Sequence, residues 1–581
     1  MTAPIDVAFV AQVRTALAGQ VRSIVAEAGG DAWQTMQHRR LAERIKALVA
    51  AWLGGGQPDG LLGQALRLAA RLRELQGPSG LFRGGDNVDS PPDSAFSVND
   101  LADTALLLRG ADDEPAKRLS AALDDLLTAV TPALTEGGVH TPNHRWELAA
   151  ALARLHRLAP RPALAARVEQ WLAEGIDIED GLYSERSPNY AAHVSNPSLL
   201  TIAEAVDRPD LVDHVERNLE ATLDILLPDG SVESVLSRRQ DQKRPAHLAV
   251  HLLPLRRVAL LRERGDLAWA AGIALEQGIF SPGDAAAHLL LDPGSGRRLP
   301  APVEPKRPRQ RFFGQAGLLV EHGSDTTTVV FGGSDYHRFG RIRSGLANSP
   351  TFLRLFAGAA VLDSVRLSRN FFGFGPFRGD RLVVEPGPDG ATVVTLAETV
   401  TAGYYQPLAA GDRDPGGRCL LGDEGRFSAA MDFGRRGRDE VSLHTAIRVE
   451  LTPAGVRLTA DVTGAAVDWA LELAFRPGGT MTGARRLGAP RWQLDASGRP
   501  ATASYRVGDD ALSVTVSDAS DGSGGPLAAA EEEPVYRPGE DYEFLGGTDA
   551  VTGELLYVAA KAPARVQIDI SASSGVESPN C

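Results

Sequence analysis

The spacing between apolar residues changes partway along this chain of 581 residues, and that change limits the folds open to it. As far as residue 291 the apolar side chains recur with the 3.6-residue period of an α-helix, as they do over 211–227. Beyond residue 311 they alternate with a period of two, as over 456–462, which is typical of β-strands. Residues 292–310 hold five prolines and no apolar period. We therefore predict a helical domain over 1–291, a linker over 292–310 and a β-domain over 311–581.

Each half carries further signs of its architecture. The apolar runs of the first half are separated by short Gly, Pro and Asp segments, which favours helical hairpins that are stacked or arranged in a circle. The runs of the second half are each followed by turn residues, which predicts an antiparallel β-sandwich or a stack of sheets. With 43% hydrophobic residues, the chain has enough apolar material to fill more than one core.

The overall charge excludes some classes of partner. The formal net charge is −14 and the isoelectric point is near 5.4, whereas nucleic acids and anionic membrane surfaces both require a basic face. An anionic sugar remains compatible with this charge, because a local cluster of Arg, His and Asn is enough to bind it. The sequence gives no indication of the oligomeric state.

The cysteines and the N-terminal residues bear on the cellular compartment. Cys419 and Cys581 provide no disulfide framework, which is compatible with a reducing compartment. The first thirty residues have the pattern of an amphipathic helix with charges such as Asp6 and Arg14, and they lack the apolar core of a signal peptide. No later run reaches transmembrane length. We expect a cytoplasmic protein, with export still open if a leader once preceded this sequence.

Polar residues collect at two predicted helix starts. Ser187 is suited to cap a helix that Pro188 opens, which would place Tyr190 and His193 three residues apart on one face. Asn143 and His144 follow Pro142 at another helix start, so the two sets can face one cleft. Structural roles compete with this hypothesis, since a helical Tyr is often a core residue, a single His is more often structural, and Asn commonly caps helices.

A polar loop over 228–241 adds a pair of arginines. Arg238 and Arg239 offer planar forks that suit a sugar carboxylate or sulfate, although a solvated surface loop is equally consistent with the pattern. We find no ligand spacing that predicts a metal, and we expect no cofactor.

The segment from Asp180 to Tyr190 resembles the Asp-Gly…Tyr-x-Glu-x-Ser-Pro-x-Tyr segment of uronate-specific polysaccharide lyases of the heparinase II/III and alginate lyase type. The resemblance implies a multidomain α+β fold, in which an N-terminal (α/α) toroid of helical hairpins precedes a C-terminal antiparallel β-sandwich. It also implies that Tyr190 is catalytic and that Asn143 and His144 correspond to the family's Asn-His pair. Residues 444–461 are similar to the family's sandwich core.

The β-half departs from the family pattern at one place. These lyases carry a His-rich run ahead of the strand that starts here near Thr351, whereas this chain has the run Asp335 to Arg341. In that run His337 alone can fill the catalytic role. Tyr336 in this run, together with His193, Arg238 and Arg239, is a candidate for substrate binding.

The chemistry of uronate cleavage suits these residue types. Removing the C5 proton requires a group that neutralises the adjacent carboxylate, which Asn143 and a protonated His144 or His337 can do. A neutral His or Tyr190 can act as the base, and a Tyr hydroxyl can protonate the leaving oxygen. Syn and anti eliminations both stay open, as do the polymer, the linkage, and endo or exo action.

We therefore predict a polysaccharide lyase that cleaves a uronate-containing polysaccharide or oligosaccharide by β-elimination. Two alternatives are kept. A glycoside hydrolase would need two carboxylates across the bond, which Glu185 together with Asp86, Asp89 or Asp100 can supply. A carbohydrate-binding protein without catalytic activity would not require the Asn-His pair and the Tyr together.

Overall fold

The computed structural model describes residues 4–27, 30–55, 60–243, 245–306, 308–336, 345–416, 431–494, 500–518 and 551–573. The chain forms two compact units, Met1–Pro308 and Arg309–Cys581. In the described residues the first unit is mainly helical and the second is built from two large β-sheets. The predicted fold class is therefore confirmed. No described helix combines the length and the apolar character needed to cross a membrane.

Helices of the first unit begin where the sequence supplies caps and prolines. Ser90 accepts a hydrogen bond from the N–H of Asp93 at 3.1 Å, and Asp113 accepts one from the N–H of Ala116 at 3.0 Å. Each cap satisfies an N–H group of the first turn, and a nearby proline fixes the backbone there. The α-helices are α1 (Val7–Glu27), α2 (His38–Gly54), α3 (Leu61–Leu75), α4 (Pro91–Leu107), α5 (Glu114–Glu136), α6 (Pro142–Leu158), α7 (Pro162–Leu172), α8 (Pro188–Tyr190), α9 (Asn196–Ala205), α10 (Leu211–Asp224), α11 (Leu252–Arg262), α12 (Gly265–Glu276) and α13 (Pro282–Leu291).

Shorter elements lie between the α-helices of this unit. A π-helix, Ala191–Ser195, joins α8 to α9, and 3₁₀ turns occur at Ala32–Gln34, Gln240–Lys243, Leu248–His251 and Pro293–Gly296. Two small antiparallel pairs complete the unit. They are β1 (Ile178–Glu179) with β2 (Leu182–Tyr183), and β3 (Ser231–Val232) with β4 (Ala246–His247).

The helices form an inner and an outer layer. The inner helices α2, α4, α6, α9 and α11 contact one another in turn. The 3₁₀ turn Pro293–Gly296 contacts both α11 and α13, and α13 contacts α2, which closes the circle. Helices α3, α5, α7, α10 and α12 pack on the outside. Inner helices are buried on most sides, as the uninterrupted buried run of α6 from Trp146 to Ala153 shows. The circular arrangement of helical hairpins expected from the sequence is therefore present.

Close packing and buried charge hold the circle shut. A side chain at Gly283 would bring its Cβ within 2.9 Å of the Cβ of Ala47, so the absence of a side chain lets α13 approach α2. Nearby, the buried ammonium of Lys46 on α2 binds the carboxylates of Asp100 on α4 and Asp284 on α13. Burial would lower the pKa of Lys46, but the two carboxylates raise it, so the ammonium stays charged.

The residues after α13 are partly fixed against the start of the chain. The N–H of Asp6 donates to the carbonyl of Gly296 at 2.8 Å, and the N–H of Arg298 donates to the carbonyl of Pro4 at 2.7 Å. Residues 301–306 have no regular secondary structure. The segment that the sequence marks as a linker thus begins as part of the helical unit.

The second unit contains two sheets that share one hydrophobic core. Its strands are β5 (Gln310–Phe313), β6 (Leu318–His322), β7 (Thr327–Phe331), β8 (Leu353–Ala357), β9 (Ala360–Arg369), β10 (Arg381–Pro386), β11 (Thr392–Tyr405), β12 (Arg438–Thr452), β13 (Gly455–Gly464), β14 (Asp468–Phe475), β15 (Thr480–Thr482), β16 (Arg485–Gly488), β17 (Arg491–Gln493), β18 (Ala501–Val507), β19 (Asp510–Asp518), β20 (Glu554–Lys561) and β21 (Ala564–Ser573). One sheet has the order β16-β17-β20-β14-β9-β8-β7-β6-β5, and the other has the order β10-β11-β12-β13-β21-β19-β18-β15.

The core of this β-unit follows from the period of two. Along β12 the side chains of Leu443, Ile447 and Val449 point inward, with more exposed residues between them. They belong to the same buried cluster as Leu353 and Leu471 of the other sheet. Except for the parallel pair β17 and β20, the strands pair antiparallel, so the unit is an antiparallel β-sandwich.

We expect the Lys46→Met variant to destabilise the protein by about 3 kcal/mol at pH 7, because it leaves two carboxylates near each other without their shared cation. Denaturant unfolding followed by helical circular dichroism measures this loss. Lys117→Met is the matched control, since Lys117 is exposed and pairs with Glu114 on the surface of α5, where an ion pair contributes at most about 1 kcal/mol. Equal effects of the two substitutions would show that the buried charges do not hold the circle closed.

Candidate active site

The turn that leads to Tyr190 is shaped by a tight hairpin. Asp180 and Gly181, both with positive φ, connect β1 to β2. A Cβ at Gly181 would lie 2.6 Å from the carbonyl oxygen of Arg217, so glycine is required there. The amide of Asn218 donates to the carbonyl of Gly181 at 2.9 Å. This hairpin is thereby anchored on α10 just ahead of the candidate residues.

Tyr190 lies at the end of the very short helix α8. Its N–H donates to the hydroxyl of Ser187 at 3.0 Å, so Ser187 caps the helix that Pro188 opens, as predicted. The chain then continues as the π-helix 191–195, in which the α-helical three-residue spacing no longer places side chains on one face. The expectation that His193 shares a face with Tyr190 assumed a continuous α-helix. The exposed His193 instead lies against Phe280, with 5.1 Å between ring centroids.

A second segment, residues 237–241, runs beside the turn that precedes Tyr190. The N–H of Arg238 donates to the carbonyl of Glu185 at 2.9 Å, and its guanidinium donates to the carbonyl of Ser184 at 2.8 Å. Arg238 therefore joins two stretches that are more than fifty residues apart in the sequence. This contact gives Arg238 a scaffold role in addition to the substrate-binding role that the sequence suggests.

Arg239 and Gln240, which follow Arg238 in the chain, both contact the phenol oxygen of Tyr190. The guanidinium of Arg239 lies over the Tyr190 ring, 4.3 Å from its centroid, and its Nη2 donates to the Tyr190 hydroxyl at 2.9 Å. The hydroxyl in turn donates to Oε1 of Gln240 at 3.3 Å. The position of the phenol oxygen is thus set by one donor and one acceptor. Gln240 was not among the predicted site residues, although it directly follows the arginine pair.

Glu185 is the acidic partner of Arg239. Its carboxylate is buried, and Oε1 lies 3.7 Å from Nη1 of Arg239. Burial raises the pKa of Glu185 to about 7, and the guanidinium offsets part of that increase. The carboxyl group therefore changes its charge near neutral pH.

Asn143 and His144 occupy the first turn of α6. The hydroxyl of Thr141 donates to Oδ1 of Asn143 at 2.8 Å, whereas Nδ2 of Asn143 is buried and has no hydrogen-bond partner within the described part of the chain. The ring of His144 packs edge-on against His140, with 4.8 Å between centroids, and its buried Nδ1 is likewise without such a partner there. Two buried polar atoms on one helical turn therefore keep hydrogen-bonding capacity that no described group of the protein uses.

His144 is neutral at pH 7. Its pKa is lowered to about 4, mainly by burial and also by the neighbouring His140, Arg239 and Arg39, while Asp93 opposes them. The protonated form, considered above as a partner for a substrate carboxylate, is therefore disfavoured. A neutral imidazole fits the role of proton acceptor instead. Arg239 helps to lower the pKa of His144 and also contacts Tyr190, so the same guanidinium acts on both helix starts.

Arg39 is a site neighbour that sequence patterns did not indicate. Its guanidinium lies 4.8 Å above the ring of Phe96 and binds Asp86 at 2.5 Å and Asp93 at 3.2 Å. It lies in the first turn of α2, far from the candidate segments in sequence. Only the packing of α2 beside α4 brings it near His144.

Two of the candidate residues, Tyr336 and His337, belong to the β-unit. Tyr336 is half-buried, and the guanidinium of Arg378 lies 4.8 Å from its ring centroid. His337 lies outside the described residues. Among the residues that are described, no cluster of three or more His, Cys, Asp or Glu side chains has an arrangement that could hold a metal ion.

We expect acid to destabilise the protein through His144. In the folded protein its pKa is about 4, below the usual value of 6.5. Below pH 6.5 the unfolded chain therefore binds a proton that the folded protein does not, so the free energy of unfolding is highest above pH 6.5 and decreases as the pH falls toward 4. From pH 7 to pH 5 the wild type should lose about 2 kcal/mol that a His144→Gln variant keeps. Urea unfolding of both proteins at the two pH values measures the difference. His247→Gln, at an exposed position, serves as the control, and a pH-independent difference for His144→Gln would contradict a neutral buried His144.

Comparisons with known proteins add evidence on the fold. No family model matches the chain, and no curated protein matches its sequence. A crystal structure of heparinase III aligns with a TM-score of 0.55 at 12% identity, covering 93% of this chain and 77% of that chain. A mutant of the heparan sulfate lyase HepC from Pedobacter heparinus aligns with a TM-score of 0.50 at 11% identity, covering 94% and 77%.

A third similar solved structure is that of a chondroitin lyase. A mutant chondroitin AC lyase from Streptomyces coelicolor A3 aligns with a TM-score of 0.50 at 12% identity, covering 97% of this chain and 80% of that chain. At such identities the likeness concerns the fold. The resemblance drawn from the sequence is confirmed at that level, and the chain has the fold of these polysaccharide lyases, an α/α toroid followed by a β-sandwich.

Proposed function

We propose that this chain is a polysaccharide lyase that cleaves a uronate-containing polysaccharide or oligosaccharide by β-elimination. The observation that carries the proposal is the position of the Tyr190 phenol, whose oxygen accepts a hydrogen bond from Arg239 and whose hydroxyl donates one to Oε1 of Gln240. Tyr190 is only partly buried, so these two contacts hold its hydroxyl at an accessible position rather than inside a core. The fold of the heparin and chondroitin lyases supports the same reaction class.

The first requirement of the reaction is to make the C5 proton of the uronate acidic. That proton lies α to a carboxylate, so negative charge develops on the carboxylate as the proton leaves. Asn143 can donate its buried Nδ2 to this group without breaking another described hydrogen bond. Because His144 is neutral, the positive charge at the candidate site comes from guanidinium groups rather than from an imidazolium.

The second requirement is a pair of proton transfers. The C5–H bond breaks toward a base, the C4–O bond breaks with its electron pair on the leaving oxygen, and a C4–C5 double bond forms. Tyr190 suits the protonation of the leaving oxygen, and the neutral His144 or the phenolate of Tyr190 suits the base. A guanidinium that donates to the phenol oxygen also stabilises negative charge on that oxygen. A syn elimination would use Tyr190 twice, and an anti elimination would use both residues.

The remaining candidates complete the proposal. His337 is proposed as a further catalytic residue, and His193, Arg238 and Tyr336 as substrate contacts, with an anionic uronate glycan as the partner. No cofactor and no metal are needed for the steps given above. A cytoplasmic location also stays a prediction.

A hydrolase is the second candidate because of one observation. The raised pKa of Glu185 suits a general acid. Two of its three proposed carboxylate partners, however, are engaged with cations, since Asp100 binds Lys46 and Asp86 binds Arg39. Glu185 itself lies beside Arg239, which also contacts Tyr190. The lyase therefore accounts for more of the site.

A screen of uronate polymers distinguishes the candidates. We expect incubation with one of them to produce a rise in near-ultraviolet absorbance, because elimination conjugates the new double bond with the carboxylate. New reducing ends without this absorbance would favour the hydrolase. Binding without either product would favour a protein that only recognises carbohydrate.

Single substitutions test the roles of Tyr190 and Asn143. Tyr190→Phe keeps the ring but removes the transferable proton, so turnover should fall by roughly 10² or more. Asn143→Ala removes a fixed donor to the developing charge, which corresponds to about 3 kcal/mol in the barrier. Turnover of folded, purified variants is measured on the polymer found in the screen. Near wild-type turnover of Tyr190→Phe would refute the assignment and direct attention to Glu185.

A further inference from the structure

The backbone of Tyr190 depends on contacts from outside its own helix. Helix α8 spans only Pro188–Tyr190, and the π-helix Ala191–Ser195 follows at once. Such a short turn gains little stability from its own hydrogen bonds. The position of Tyr190 is therefore set largely by what binds this turn.

Asp241 supplies that binding through Ser187. The hydroxyl of Ser187 donates its only proton to Oδ2 of Asp241 at 2.7 Å, which leaves its lone pairs to accept from the N–H of Tyr190 at 3.0 Å. The N–H of Asn189 donates to the same Oδ2 at 3.2 Å. A carboxylate on one segment thus orients the cap of the turn on the other.

The same carboxylate also fixes its own segment. Oδ1 of Asp241 accepts from the hydroxyl of Ser237, and the carbonyl of Asp241 accepts from the hydroxyl of Ser234 at 2.6 Å. Asp241 is therefore held on one side by its own loop and on the other by the α8 turn.

Three consecutive residues bind opposite ends of Tyr190. Arg239 and Gln240 contact the phenol oxygen, whereas Asp241 holds the backbone through Ser187. A shift of the 237–241 segment relative to the α8 turn would therefore displace the hydroxyl from its donor and acceptor. Displacements of about 1 Å at a reacting group can reduce turnover by about 10²-fold.

We propose that Asp241 is a positioning residue of this site, which acts through Ser187 to keep the Tyr190 hydroxyl aligned with Arg239 and Gln240. The inference rests on the proposed function for its effect on turnover. Its effect on the placement of Tyr190 is independent of that function. Asp241 itself need not touch the substrate.

The kinetic test uses Asp241→Asn and Ser187→Ala. The amide side chain keeps the shape of Asp241 but can accept with only one of its two ends, and the alanine removes the relay hydroxyl. We expect each variant to lower kcat by about tenfold while KM changes by less than about twofold, because alignment rather than binding is lost. The double variant should be no slower than Asp241→Asn, since both residues act in one relay.

Asp113→Asn is the matched control. Asp113 also accepts a backbone N–H at a helix start, that of Ala116 at 3.0 Å, but it caps α5 and none of its described hydrogen bonds reaches Tyr190. We expect kcat and KM of this variant to equal those of the wild type. A loss of kcat as large as that of Asp241→Asn would show that any weakened cap in the helical unit lowers turnover, which would overturn the proposal.

A second measurement is independent of activity. Protein labelled with 3-fluorotyrosine gives a ¹⁹F resonance for Tyr190, which the Tyr190→Phe variant assigns. The proposal expects Asp241→Asn and Ser187→Ala to shift or broaden this resonance, and Asp113→Asn to leave it unchanged. If the wild type shows no elimination but the resonance moves, the proposed function fails and the positioning role stands. An unchanged resonance in Asp241→Asn and in Ser187→Ala overturns the positioning role, whichever reaction the wild type catalyses.

Discussion

The buried ion cluster of Lys46 is the constraint on which the helical unit depends. A circle of helices closes only if its last member stays against its first, and here one ammonium on α2 binds carboxylates on both α4 and α13. Buried charges contribute little net stability when well paired but cost much when one partner is missing. The cluster therefore favours the closed arrangement mainly by penalising open ones. Packing at Gly283, where α13 meets Ala47, acts in the same direction.

The closed circle in turn places the candidate site. Asp100 belongs to the ion cluster, and its neighbour Asn99 on α4 donates to the buried carboxylate of Glu147 on α6 at 2.6 Å. Glu147 lies one helical turn after Asn143, so the orientation of α6 at the site is tied to the interior of the circle. The pKa of Glu147 is raised to about 7, because the effect of burial exceeds the opposing effects of Asn99 and Arg154. A polar interior of this kind is costly unless each group is satisfied, which restricts the helices to one register.

Local rules explain what the sequence could predict. The two periods of apolar residues indicated the helical and β-units, and Ser187 followed by Pro188 indicated a helix start, because each feature depends on neighbours within a few residues. The contact between Arg239 and Tyr190 joins residues 49 apart, and Arg39 reaches the site from α2, so neither follows from local spacing. The low pKa of His144 depends on its burial, and the π-helix after Tyr190 interrupts an apparently regular helical pattern. The sequence therefore indicated the two units and the helix starts, but it could not supply the charge states or the partners of the candidate residues.

The charges of His144, Arg239 and Glu185 determine how the candidate site can bind an anion. His144 is neutral at pH 7, whereas Arg239 places a positive charge directly against the Tyr190 hydroxyl. Glu185 is also next to the Arg239 guanidinium, and it gains or loses its own charge near pH 7. When Glu185 is protonated, the guanidinium has no ionised carboxylate at that position and interacts more strongly with other anions. When Glu185 is ionised, part of the guanidinium charge is compensated before any substrate arrives. A uronate that binds beside Arg239 must therefore compete with Glu185, and the energy of that competition depends on the proton carried by Glu185. Charge complementarity at this site is thus set by the pair of partly buried Arg239 and buried Glu185 rather than by the net charge of the chain.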